Sequence, residues 1–139
     1  MHRGLMMVGS LLGAFAVALG AFGAHALKQK IGPEELAVYQ TGVQYHFYHV
    51  MAVFITASVY SKFHRPAVLW AGRFFIAGIV LFSGSLYLMT YLKAFTRSEI
   101  KWLGPITPLG GLFFIIGWLM LGWIINHGKV QRPEDRPVK

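Results

Sequence analysis

All 18 Asp, Glu, Lys and Arg residues of this 139-residue chain fall within 43 positions, and the other 96 form four runs without one such charge. The runs are Gly4 to Leu27, Leu36 to Ser61, Phe74 to Leu92 and Trp102 to Gly128. Each approaches or exceeds the ~20 residues of helix that cross a hydrocarbon layer roughly 30 Å thick. A water-soluble domain interrupts its apolar stretches every few residues, because one face of each element meets solvent. Four consecutive segments here never do. The expected fold is all-α, an integral membrane four-helix bundle, with helices over about 4–27, 33–61, 66–92 and 107–127 in a transmembrane domain spanning 1–128. Residues 129–139, with Pro133 and Pro137 among charges, read as a disordered cytoplasmic tail.

In lipid the backbone satisfies its own hydrogen bonds, which leaves helices or a closed barrel. Barrel strands alternate polar and apolar residues. The run from Gly111 to Leu121 does not alternate, so the spans are helical. The chain has no cysteine, which excludes disulfides, thiolate metal sites and thiol catalysis. Its net charge of +8 is scattered over termini and short loops. That pattern suits topology signals and acidic lipid headgroups rather than nucleic acid. Arg3 before an apolar core and Ala24-His25-Ala26 after it resemble a signal peptide, but the apolar stretch is far longer than the usual 7–15 residues of a signal core. It is read as a retained helix.

Lys and Arg on alternate sides of the expected spans number eight against five, the larger set including Arg3, Lys62, Arg65, Arg73 and Lys129. The positive-inside bias puts both termini in the cytoplasm, or its organellar equivalent. Pro33 with Glu34 and Glu35 marks the start of the second helix, whose first two turns stand in the outer interface. Pro66 opens the third helix, and Thr107-Pro108 reads as cap and first turn of the fourth.

At 100° per residue, Gly9, Gly13, Ala16, Gly20, Gly23 and Ala24 form one stripe on the first helix. Ala14, Ala18 and Ala21 form a second, roughly opposite, which His25 continues. Small stripes let backbones approach closely in lipid. Two of them predict that the first helix touches two neighbours.

Polar side chains concentrate in the outer half. They are His25 on the first helix; Gln40, Thr41, Gln44, Tyr45, His46, Tyr48 and His49 on the second; and Ser83, Ser85, Tyr87 and Thr90 on the third. His25, Gln44, Tyr45, His49, Ser83, Ser85 and Tyr87 are the candidate ligand-contacting cluster. Thr41, Tyr45, Tyr48 and His49 share a ~100° arc, so the second helix is expected to turn one polar face inward, with His49 hydrogen-bonded and His25 approaching from across the bundle. Three readings stay open. The groups satisfy one another and fix register; they line a pocket for a lipid headgroup, small molecule or partner protein; or His25, His46 and His49 build a haem, metal or proton-handling site. No Ser-His-Asp grouping or buried carboxylate pair appears, so no catalytic residue, resident cofactor or metal is expected. The anticipated partners are membrane lipid and a protein partner or second copy of the chain.

Gly20-Ala-Phe-Gly-Ala-His-Ala-Leu27, Thr41-Gly-Val-Gln-Tyr45 with Tyr48-His49, Phe82-Ser-Gly-Ser-Leu-Tyr87 and Gly104-Pro-Ile-Thr-Pro-Leu-Gly-Gly111 together resemble the domain-of-unknown-function 423 family. Its members are small bacterial inner-membrane proteins, with eukaryotic relatives called transmembrane protein 256. The resemblance covers roughly residues 4 to 126 and implies a four-helix membrane protein, without an activity to carry across. Gln is frequent in the family where this chain has His46, which weakens any metal site needing both histidines of the second helix. The family motifs coincide with the outer polar cluster and favour the pocket or partner reading over packing alone.

Overall fold

A computed structural model describes residues 1–96 and 103–128, and all of its regular structure is helical. The four helices are α1 (Arg3–Leu27), α2 (Pro33–Phe63), α3 (Pro66–Thr96) and α4 (Ile106–His127). The tail expected to be disordered, and Arg97 and Lys101, expected on the outer side, lie outside the described residues.

Helix boundaries follow local chemistry. His2 caps α1, its Nδ1 accepting from the Leu5 N–H at 3.2 Å, while its own N–H donates to the Ala57 carbonyl of α2 at 3.1 Å. Proline stands in the first turn of both α2 and α3, where its missing N–H costs no helical bond. Between those helices the chain reverses at His64, a left-handed residue with φ 44°, whose N–H donates back to the Tyr60 carbonyl at 3.0 Å. Arg65 then takes the extended conformation that precedes a proline. The start of α4 differs from expectation. Pro105, already near helical with φ −66° and ψ −20°, holds the cap position, so Ile106 begins the helix and Thr107 lies inside it. The hydroxyl of Thr107 is used across the bundle instead of as a cap.

α1, α3 and α4 are long and apolar enough to cross a membrane; α2 falls short of that apolarity because it carries most of the mid-chain polar residues. Large apolar side chains face outward, with Phe15 65% and Leu119 69% exposed. The inside contains Val50, Val53, Ala57, Ala71, Phe75, Ile79 and Phe114. Such an outward apolar surface suits lipid, not water. This is a helical membrane bundle.

α1 lies along α2 through its first small stripe. A Cβ added at Gly9, Gly13, Gly20 or Gly23 would meet Phe54, Val50, Val43 or Tyr39 in turn, and Ala16 between them is buried. The second stripe has no such role. Ala14, Ala18 and Ala21 are exposed, and so is Ala24 of the first stripe. Only one face of α1 is packed along its length, and the opposite face, where His25 sits, looks outward. The expectation of two neighbours is corrected to one long seam, with Leu5 near the start of α1 also reaching Gly72 of α3.

α3 and α4 approach more closely still. A Cβ on Gly110 of α4 would strike the backbone nitrogen of Phe82, and one on Gly78 of α3 would strike the Phe114 ring. A Cβ on Gly117 would come within 2.7 Å of the Phe75 ring. A π turn at Ile79–Ser83 widens α3 at this crossing. One turn further, the hydroxyls of Ser85 and Thr107 share a hydrogen bond of 2.7 Å, and Ser85 also donates to the Phe82 carbonyl at 2.8 Å.

Candidate functional site

The polar residues of α2 do not form one inward face. Thr41 is half-buried and donates to the Ala37 carbonyl of its own helix at 2.9 Å, whereas Gln44, Tyr45 and Tyr48 are exposed. The two buried imidazoles, three residues apart, address different helices. His46 faces α3, where its Nδ1 and the Tyr87 hydroxyl share a hydrogen bond of 3.3 Å. Tyr87 leans on Tyr39 at 5.1 Å between ring centroids, and Tyr39 donates to the Leu19 carbonyl of α1 at 2.8 Å. The Nε2 of His46 is buried with no hydrogen-bond partner among the described residues.

His49 faces α4. The Trp118 indole N–H donates to its Nε2 at 3.3 Å, which makes Nε2 the acceptor and leaves the proton on Nδ1. Nδ1 therefore donates to the Tyr45 carbonyl at 2.7 Å. The ring lies flat on Phe114, with centroids 3.4 Å apart and planes 7° from parallel. Only 5% of His49 is exposed, so the imidazole is held on both edges and one face.

Above this imidazole runs a groove of about 550 Å³ between α2 and α4, lined by Tyr45, Tyr48, His49, Phe82, Gly111, Phe114, Ile115 and Trp118. Tyr45 stacks on Phe82 at 4.7 Å, closing the α3 side. Tyr48, Ile115 and Trp118 stay 60%, 57% and 44% exposed, so the groove opens outward. Its volume lies within the ~300–1,000 Å³ range of small-molecule sites. Gly111 lines it because a Cβ there would meet nothing nearer than Phe82 at 3.8 Å. That is ordinary contact, so the space above this glycine is open.

The anticipated cluster is thus divided. Tyr45 and His49 line the groove, Ser85 joins α3 to α4, and Tyr87 serves His46. Ser83 is fully buried in the π turn, its Oγ without a partner among the described residues. His25 is exposed at the end of α1, whereas His49 is buried between α2 and α4. Gln44 is likewise exposed. A ligand set built on His25 and His49 is therefore not assembled, and among the described residues no three His, Asp or Glu side chains come together as metal ligands. His49 also has no free ring nitrogen, since Nε2 accepts and Nδ1 donates. The groove residues Phe82, Gly111, Phe114, Ile115 and Trp118 escaped the reading by polarity because they are apolar or amphipathic. Their one signal was the spacing of Gly111, Ile115 and Trp118, which puts them on one face of α4.

Comparison with known proteins agrees with a membrane assignment. The family described as protein of unknown function, DUF423, matches residues 19–111. Over 117 residues the chain is 46% identical to the UPF0382 membrane protein YwdK of Bacillus subtilis, covering 84% of this chain and 90% of that protein. It is 44% identical to the UPF0382 membrane protein SAB0533 of Staphylococcus aureus over 84% of this chain and 89% of the relative. The Escherichia coli K12 UPF0382 inner membrane protein YgdD is 34% identical over 86% of each chain. No solved structure matches. With the family match spanning more than half its length and these relatives aligned nearly end to end, the chain belongs to the DUF423 family of membrane proteins.

Proposed function

We propose that this is a non-enzymatic four-span membrane protein that binds a lipid-soluble small molecule in the groove between α2 and α4. The observation that carries the reading is the groove itself: about 550 Å³, walled by aromatic rings and floored by an imidazole locked in one tautomer. The groove opens from the bundle between helices whose outer faces are apolar, so an occupant arrives through the hydrocarbon. Rings in fixed orientation favour a ligand with a flat apolar portion. Tyr45 and Tyr48 place phenolic groups beside it for a polar substituent. No acid–base role is left for His49, whose ring nitrogens are both engaged internally.

Two further features belong to this reading. α2 spans the membrane with the others: α1, itself apolar enough to cross, lies against it from Phe54 to Tyr39. Its polar imidazoles are enclosed by α3 and α4 rather than exposed to lipid. Both termini lie in the cytoplasm, as the excess of Lys and Arg on that side supports. A cytoplasm-dependent reporter fused after Lys139 is expected to be active, and a silent one reverses the orientation.

The test of the ligand is mass spectrometry of the protein released directly from its native membrane. A copurified small molecule at a defined mass, retained by the wild type and lost from a variant with the groove filled, supports the reading. Release of bare protein under conditions that preserve lipid contacts contradicts it. An absorbance scan of the same sample distinguishes haem, which would give a Soret band and move the reading to a redox protein.

A further inference from the structure

A second groove, of about 320 Å³, lies on α2 beyond the first, toward its C-terminal end. It is lined by Met51, Phe54, Ile55, Ser58, Val59 and Lys62. Met51 and Ile55 are 53% and 44% exposed, and the Ser58 hydroxyl is engaged by the Phe54 carbonyl at 3.0 Å and the Met1 Sδ at 3.9 Å. The surface is therefore apolar for two turns and ends on one exposed ammonium group, Lys62. Lys62 makes no ion pair among the described residues. Arg3, Lys62, Arg65 and Arg73 all lie toward this end of the bundle, while the described carboxylates, Glu34 and Glu35, stand at the opposite end of α2. An apolar channel ending in a cation, within a cationic rim, complements an acyl chain joined to an anionic headgroup.

We propose that an anionic phospholipid binds here, one acyl chain lying along Met51, Phe54, Ile55 and Val59 and its phosphodiester resting on Lys62. Charge selects the headgroup: a zwitterionic lipid offers the same chain and phosphate but adds a cation that Lys62 and the excess positive charge at this end of the bundle repel. A lipid fits better than a second copy of the chain, whose described partner surface would have to bring a carboxylate to Lys62. This site is independent of the α2–α4 groove, and neither proposal depends on the other.

The experiment uses the full chain purified in detergent and exposed to equal amounts of phosphatidylglycerol and phosphatidylcholine with identical acyl chains, bound lipid being counted by native mass spectrometry. Phosphatidylglycerol is expected to dominate. Lys62→Gln should lower its preference about fivefold, the effect of one basic residue near an anionic lipid surface. Lys30→Gln, at the other end of the bundle, should leave the preference unchanged. Ile55→Trp, which fills the channel from an exposed position, should reduce retention of both lipids with helix content by circular dichroism intact. Equal binding of the two lipids, or an unchanged preference in Lys62→Gln, overturns the proposal. Displacement of bound lipid by free glycerol phosphate shows a headgroup site without a chain channel and also overturns it. So does a dimer that Ile55→Trp dissociates, because a second copy then covers the face.

Discussion

Gly110 and Gly111 are neighbours in sequence on α4, yet one has no room for a methyl group and the other faces open space. Gly110 presses against the backbone of Phe82, whereas a Cβ on Gly111 would find only the Phe82 ring at 3.8 Å. The two glycines mark the closed and open sides of the same helix. On the closed side, Gly110 and Gly117 let α3 sit close, and the Ser85–Thr107 bond ties the crossing. On the open side, Gly111 and Ile115 leave the groove open while Trp118 reaches across to His49 of α2 at its edge. Phe114 belongs to both, packed on Gly78 of α3 and under the His49 ring of α2. A tight seam therefore supports a loose one: α4 is held by α3, and its other face is free to hold something else.

The largest effect should come from the closed side. Gly110→Ala drives a methyl group into the backbone of α3, and overpacking of this kind costs about 3 kcal/mol, the upper end of its usual range. Thermal unfolding in detergent measures it, and a wild-type melting temperature would mean that the α3–α4 crossing is not close-packed. Next is Trp118→Phe, which keeps the ring but removes the donor to His49 Nε2. Leaving that acceptor unpaired should cost about 1 kcal/mol. The His49 imidazole 15N shifts should change at Nε2 while Nδ1 stays protonated; unchanged shifts would show that the indole does not serve it.

The α1–α2 seam sharpens the contrast because its glycines are less crowded. A Cβ on Gly20 would sit 3.4 Å from Val43, at the edge of ordinary contact. Gly20→Ala should shift stability by no more than ~0.5 kcal/mol, since relief of glycine's backbone entropy offsets slight crowding. A loss as large as that of Gly110→Ala would erase the distinction between the seams. The smallest effect is at the start of α2, where Glu35 and Lys93 are 2.6 Å apart on the surface. The hydrogen bond from Lys93 is the main cause holding the Glu35 carboxyl below its ordinary value. A lowered folded value means that the stabilisation is complete above the ordinary carboxylate range and disappears as pH falls through the lowered one. Wild type and Glu35→Gln should therefore differ slightly at pH 7 and converge in acid; a gap that persists at acid pH would mean that the ion pair is not its source.

Much of the fold was legible from charge and proline. Four charge-free runs gave four helices, and Pro33 and Pro66 stand in the first turns of α2 and α3 because their fixed φ suits that position. The stripe from Gly9 to Gly23 was legible too, since small residues in phase permit a close approach. Periodicity says which residues share a face, but not which helix that face meets. Ala14, Ala18 and Ala21 are in phase as well, and they look outward. The same limit split the polar cluster: His46 and His49 lie 60° apart on an ideal wheel, enough to send one to α3 and the other to α4. Trp118, 69 residues from His49 along the chain, has no local signal that would join them. The groove is lined mainly by residues chosen for shape rather than polarity, so polar side chains pointed to its α2 side, Tyr45, Tyr48 and His49, and gave no sign of the walls from α3 and α4.

The most direct test of the account is Gly111→Leu. The substitution enters the groove without meeting the α3 backbone, so the bundle should unfold at a temperature within a few degrees of wild type. Mass spectrometry of the two proteins released from native membrane should then show a small molecule on the wild type and none on the variant. A stable Gly111→Leu protein that retains the same ligand would place that ligand elsewhere and contradict the proposed role of the groove.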